Sequence, residues 1–137
     1  MNRLGNVQNP YQGTRKKVLC VCSAGLLRSP TAAFVLSYVF DCNTRAAGIT
    51  PEFALIPVDR VLLTWADEIV CMDAKQERQL AEMLMEFNMK KTILNLEIPD
   101  AFAYRDPVLI DTIIHNYKKT LNESKGIVTE TIIKEGS

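Results

Sequence analysis

Short, almost wholly apolar runs alternate along the chain with longer segments whose apolar residues recur at three- and four-residue steps. The runs read as buried strands and the stepped segments as helices packed on them. Val18–Cys22 is the first run, and the spacing then predicts a helix over Thr31–Phe40, broken only by Thr31, Ser37 and Tyr38 and therefore buried against a sheet. Asp41-Cys42-Asn43 ends it, and Asn43–Ile49 predicts a second strand with Gly48 at its close. A connector from Thr50-Pro51 carries the isolated apolar residues Phe53, Leu55 and Ile56. A short helix over Pro57–Trp65, a strand over Asp67–Met72, a helix over Asp73–Phe87 and a strand over Lys91–Ile98 follow. Within Asp73–Phe87, the residues Leu80, Met83, Leu84 and Phe87 form one core-facing stripe, and the methionines of this region read as gap-fillers of a core. The final helix begins at Asp106, presents Val108, Leu109, Ile113, Ile114 and Tyr117 inward, and runs to Leu121, with Gly126 as its interruption. Ile127–Lys134 suits either a further helix or a β-prone tail, which packs on the domain or forms a dimer contact, so the expected state is a monomer or a weak dimer.

Strands alternating with helices through short links imply an α/β domain with a parallel sheet and right-handed crossovers. Ligands of such sheets bind beyond the carboxyl ends of the strands. That rule places the loop after Cys22 on the same edge as the loop after the fourth strand, which holds Asp100 and Asp106.

At 137 residues the chain has the size of one domain. Residues 1–14, rich in Asn, Gln and Gly, predict a flexible N-terminal arm ahead of a domain over 15–137. The hydrophobic fraction of 47% is ordinary for a globular core, no run approaches bilayer length, and the N-terminus lacks an apolar signal region, so no membrane partner is expected. Four cysteines in no paired ligand spacing and one histidine point to a reducing cytoplasm, with no metal site and no cofactor. His115, mid-helix and away from the loop, reads as structural. Sixteen basic residues balance sixteen acidic ones, which argues against nucleic acid as partner.

The chemistry concentrates in Cys22-Ser23-Ala24-Gly25-Leu26-Leu27-Arg28-Ser29-Pro30. An apolar strand breaks there into a loop of small and apolar residues and restarts as a helix. Gly25 can take the positive φ of a tight anion cradle, and Ser29-Pro30 has the form of an N-cap followed by a first helical residue. The N–H groups of Ser23, Ala24, Gly25, Leu26, Leu27, Arg28 and Ser29 would converge on one anion, with the positive end of the helix behind them. Arg28 adds a planar fork suited to two phosphate oxygens. Helix N-termini and cationic neighbours favour the thiolate of a cysteine, the nucleophilic form, so Cys22 is the candidate nucleophile. A cysteine and an arginine at this offset also occur by chance, and buried cysteines are mostly inert. The strand end before Cys22 and the helix start after Arg28 favour the catalytic reading. Cys20, inside the strand, reads as core.

At these residues the chain resembles the low-molecular-weight protein tyrosine phosphatases, whose signature is Cys-x5-Arg-Ser near the N-terminus and an Asp in a loop near the C-terminus. Ala46-Ala47-Gly48-Ile49-Thr50 and Ala66–Asp73 extend the likeness, which runs from about Lys17 to about Leu121. A shortened bacterial and phage branch, with an Ile-Pro-Asp and a later Asp-Pro, is more similar, here Ile98-Pro99-Asp100 and Asp106-Pro107. The resemblance implies a single three-layer domain with a four-stranded parallel sheet in the order 2-1-3-4, and hydrolysis of phosphotyrosine through a phosphocysteine intermediate. It implies a phosphotyrosine-containing protein or a small aryl phosphate as substrate, with phosphate, vanadate and sulfate as inhibitory anions. It also implies that the Ser29 hydroxyl donates to the Cys22 thiolate. The chain departs from the pattern at Gly25, where the family usually has a loop-bracing Asn, and at Leu27, where it usually has a second Cys able to protect the nucleophile as a disulfide. The stretch between Gly48 and Asp73 is shorter than usual, which reduces one wall of the cleft.

A departing alkoxide or phenoxide needs a proton, and Asp100 and Asp106 compete to supply it. Asp106, directly before Pro107 and an apolar run, has the form of a helix N-cap. Asp100 is favoured, since it lies in the loop with the rings of Phe102 and Tyr104 following it, a setting that favours a protonated acid. Phe102 and Tyr104 are also expected either to wall a slot for a phenyl ring or to anchor the loop onto the core. Two other readings stand beside the phosphatase: a phosphate-sensing module with little turnover, and an arsenate reductase, for which only Cys42 and Cys71 are available as relay thiols.

Overall fold

The computed structural model describes residues 15–23, 28–50, 54, 56–99 and 106–136, with side chains as far as Glu123. Residues 1–14, the loop residues Ala24, Gly25, Leu26 and Leu27, and the segment 100–105 with Asp100, Phe102 and Tyr104 lie outside the described residues. The elements follow as β1 (Lys17–Cys22), α1 (Arg28–Phe40), β2 (Asn43–Gly48), α2 (Arg60–Trp65), β3 (Glu68–Cys71), α3 (Ala74–Glu86), β4 (Thr92–Asn95) and α4 (Pro107–Gly136). The four strands form one parallel sheet in the expected order, β2-β1-β3-β4.

β1 is buried on both faces because its side chains alternate between two cores. Val18, Cys20 and Cys22 join Ala32, Val35 and Leu36 of α1 and Leu109, Ile113 and Tyr117 of α4 on one face. Leu19 and Val21 join Leu63 of α2 and Leu80 and Leu84 of α3 on the other. The stripe expected on α3 is in place, with Met83 and Phe87 packed at its margin. The helix is capped at its N-terminus by Asp73, whose carboxylate accepts from the Gln76 N–H at 2.8 Å.

Several boundaries differ from the sequence reading. α1 begins at Arg28, so Ser29 lies inside the first turn and is not its N-cap. α2 begins at Arg60 because Asp59 caps it by accepting from the Leu62 N–H at 2.8 Å, whereas Pro57 makes an isolated bridge to Gly48. β4 stops at Asn95, because Glu97 takes a positive φ of 54° that breaks the pleat. Pairing continues past it, with the Leu96 N–H donating to the Cys71 carbonyl at 2.9 Å and the Ile98 N–H to the Met72 carbonyl at 2.8 Å. Gly126 does not interrupt α4, whose backbone stays helical to Gly136; a lone helix glycine costs only ~1 kcal/mol.

α1 is buried only as far as Leu36, since Tyr38 is 82% exposed and stacks on Phe34. Val108 is exposed although its helical spacing placed it inward, and Met85 is a surface residue while Met72 is core. His115 is likewise exposed on α4. Among the described residues no helix is long and apolar enough to cross a membrane.

At the edge opposite Cys22, a buried Glu68 accepts from the Tyr117 hydroxyl at 2.8 Å and pairs with Lys16 at 3.3 Å. Tyr117 also meets the edge of the Phe40 ring. These contacts hold the start of β1 and β3 against the end of α1 and the Tyr117 turn of α4.

Candidate active site

The carboxyl edge of the sheet gathers the ends of all four strands, and three of the residues singled out from the sequence meet there. Cys22 is the last residue of β1, and its Sγ donates to the Ser29 Oγ at 3.1 Å. Ser29 is fully buried in the first turn of α1, and its hydroxyl also lies 3.4 Å from the Ala47 carbonyl of β2, to which it donates. A thiolate at Cys22 would reverse the first bond, with the Ser29 proton turning from a long, weak contact to a charged acceptor. The loop chain leaving β1 is held to β2 by the Ile49 N–H donating to the Cys22 carbonyl and the Thr50 N–H to the Ser23 carbonyl, each at 2.9 Å.

Arg28 opens α1 and is only 5% exposed. Its Nη1 donates to the Ile98 carbonyl at 2.7 Å, a short charge-assisted bond across 70 residues of sequence. That bond fixes the plane of the guanidinium and ties the helix start to the segment just ahead of Pro99-Asp100. Glu97 helps set it up. With φ at 54° and its N–H donating to the Asn95 Oδ1 at 2.9 Å, it forms a sharp turn immediately before the carbonyl that holds Arg28.

Ser23 is exposed, and its Oγ accepts from Nε2 of Gln76 at 3.3 Å. Gln76 was not singled out from the sequence, where it is one of several polar residues on an amphipathic helix. The available signal was its place four residues ahead of Leu80, on the buried stripe. It is 1% exposed, and its Oε1 accepts from the Met72 N–H at 2.7 Å.

Asp106 caps α4, its Oδ1 accepting from the Val108 N–H at 2.8 Å, as the sequence reading had it. The other thiols are poorly placed for a relay. Cys42 lies just before β2, at the opposite edge from Cys22, and burial raises its pKa. Cys71 packs on the α2/α3 face, and burial, with Glu77 and Asp73 nearby, pushes it up to about 12. Cys20 is wholly buried and its pKa is raised for the same reason. Among the described residues no group of His, Cys, Asp or Glu is arranged to hold a metal ion.

No protein-family model matches the chain, and no curated protein matches it by sequence. Solved structures do match. The YwlE arginine phosphatase from Geobacillus stearothermophilus superposes with a TM-score of 0.57 at 16% identity, over 85% of this chain and 96% of that one. The tyrosine phosphatase Wzb from Escherichia coli K30, in complex with phosphate, gives 0.59 at 15% identity, over 77% and 96%. YfkJ from Bacillus subtilis gives 0.56 at 22% identity, over 83% and 99%. The strand order and these superpositions agree on one architecture: the chain has the fold of the low-molecular-weight protein tyrosine phosphatases.

Proposed function

We propose that the chain is a cysteine-dependent phosphatase that hydrolyses phosphotyrosine, on a protein or as a small aryl phosphate, through a phosphocysteine intermediate. The observation that carries the reading is Cys22 at a strand end with its sulfur 3.1 Å from a buried hydroxyl, Ser29, and with Arg28 opening the helix between them. The phosphate in the Wzb structure and the shared fold support an anion site at this loop.

In the proposed reaction the Cys22 thiolate attacks phosphorus and the P–O bond to the phenol breaks. The leaving oxygen takes its electron pair and a proton from Asp100, with Asp106 as the alternate acid. Arg28 and the loop amides hold the equatorial oxygens as charge builds on them. The same carboxylate then removes a proton from water, which attacks the phosphocysteine, releasing phosphate and regenerating the thiolate. Asp106 is already engaged as a cap, which supports assigning the acid to Asp100. Phe102 and Tyr104 are proposed as the aryl walls. Phosphate, vanadate and sulfate would compete for the site, and the cytoplasm is the proposed compartment.

The test is hydrolysis of p-nitrophenyl phosphate at mildly acidic pH without added metal, by the wild type and by Cys22→Ser. Turnover by the wild type alone supports the phosphocysteine route. Silence of both, with vanadate still raising the melting temperature of the wild type, would replace it with the phosphate-sensing reading. Asp100→Asn and Asp106→Asn, assayed on aryl phosphates of increasingly poor leaving groups, identify the acid. Because tyrosine and arginine phosphatases share this fold, phosphotyrosine and phosphoarginine peptides should be run side by side, with the phosphotyrosine peptide expected to be preferred.

A further inference from the structure

Between Cys22 and Arg28 the sequence is Ser-Ala-Gly-Leu-Leu, so Ser23 carries the one side chain in the loop able to make a hydrogen bond. A cradle of backbone N–H groups is useful only if its shape is held before the anion arrives. Side-chain bracing by the loop's own residues can therefore come only from its two ends, Ser23 and Arg28, and the structure ties both to the same place. Ser23 Oγ accepts from Gln76 Nε2 at 3.3 Å, and Gln76 Oε1 accepts from the Met72 N–H at 2.7 Å. The Met72 carbonyl accepts from the Ile98 N–H at 2.8 Å, and the Ile98 carbonyl accepts from Arg28 Nη1 at 2.7 Å. These bonds form a circuit from one end of the loop, through the ends of β3 and β4, to the other.

We infer that Gln76 is the positioning residue of the anion-binding loop, closing that circuit with its amide and so setting the spacing between Ser23 and Arg28. It suits the task chemically. A primary amide is an acceptor and a donor at once, and here each half is used by a different strand end. Gln76 is also immobilised, being 1% exposed on the α3 turn that Asp73 caps. Neither bond of Gln76 is made to Cys22, so its effect on chemistry passes through Ser23 on one side and through Met72, Ile98 and Arg28 on the other. The inference rests on the phosphatase reading for its kinetic consequences, but not for its structural ones.

The experiment compares Gln76→Leu, Ser23→Ala and the double variant with wild type by three readouts. These are kcat/KM on p-nitrophenyl phosphate, the pH profile of Cys22 alkylation by iodoacetamide, and the rise in melting temperature with vanadate. Gln76→Leu should lower kcat/KM by up to ~100-fold, the scale of a 1 Å misplacement, mostly through kcat. It should also shift the alkylation profile and shrink the vanadate effect. Ser23→Ala should move all three the same way but less far, and the double variant should be no worse than Gln76→Leu, since the bond lost in Ser23→Ala is one of the two lost in Gln76→Leu. A folded Gln76→Leu within about twofold of wild type in all three readouts overturns the inference. Should Gln76→Leu fail to fold, an unchanged Ser23→Ala overturns it. Alkylation and vanadate binding need no turnover, so a wild type without activity sinks the phosphatase reading and still leaves the circuit tested.

Discussion

Replacing Arg28 with Lys separates the two jobs of that side chain. Arg28 Nη1 donates to the Ile98 carbonyl at 2.7 Å from a site only 5% exposed, and the rest of the fork is proposed to grip phosphoryl oxygens. A hydrogen bond from a charged donor contributes about 1.5–3 kcal/mol to stability. Loss of one preorganised donor to a transition-state oxyanion costs about 2.7–4 kcal/mol, a factor of 10²–10³ in kcat. Lysine keeps the charge but offers a point in place of a fork, so it can serve the carbonyl or the phosphoryl group and not both in one plane. If it takes the carbonyl, Arg28→Lys should lose less than ~1 kcal/mol in urea unfolding, while Arg28→Ala loses ~1.5–3 kcal/mol. Both should lose at least ~10²-fold in kcat/KM on p-nitrophenyl phosphate and most of the vanadate stabilisation. Arg28→Lys with kcat/KM within about tenfold of wild type would refute the fork argument. Equal stability of Arg28→Ala and wild type would refute the anchoring role of Ile98.

The remaining predictions concern stability. Cys71 titrates near 9.0 when unfolded and is pushed up to about 12 by burial, so the folded state keeps a proton that the unfolded chain gives up. Stability should be flat below pH ~8 and fall above ~9 by up to ~1.4 kcal/mol per pH unit for this thiol alone, with Cys20 and Cys42 adding in the same direction. Urea titrations from neutral to pH 10 measure the slope, Cys71→Ala should reduce it, and a flat profile would exclude the effect. Glu97 at φ 54° pays ~1 kcal/mol for a left-handed backbone. Glu97→Gly should therefore be neutral or stabilising by up to ~1 kcal/mol in thermal melts, whereas Glu97→Val should destabilise; the reverse order would show that the turn is unstrained. Tyr117→Phe removes the hydroxyl donating to buried Glu68 and should cost ~1.5–3 kcal/mol with kcat/KM unchanged, since it lies at the far edge of the sheet; a change in turnover would show coupling between the edges.

The strands were legible in the sequence, the first because β1 is buried on both faces and reads as an unbroken apolar run that stops at Cys22. The stripe of Leu80 and Leu84 was equally plain. Boundaries failed where side chains compete with the backbone. Asp59 captured the start of α2 from Pro57, and Arg28 was drawn into α1 ahead of the expected cap at Ser29. Val108 has core spacing and Val39 continues an apolar run, yet both lie exposed, because periodicity marks a helical face without saying how far the partner layer extends. Gln76 was invisible for a different reason. Its partners, Ser23 and Met72, are brought to it by the parallel pairing of β1 and β3, and nothing local distinguishes a glutamine that closes a circuit from one that faces water.

The alternation of β1 also has an evolutionary consequence. Cys22 shares a face with Val18 and Cys20, while Leu19 and Val21 serve the opposite core, so the side on which the sulfur emerges is a matter of parity. Substitutions among these residues change packing by degrees. Insertion or deletion of one residue between Val18 and Cys22 would exchange the two files, turning either the nucleophile or the apolar anchors to the wrong layer. This strand should therefore tolerate length changes only in twos, and lineages can vary its side chains far more freely than its length.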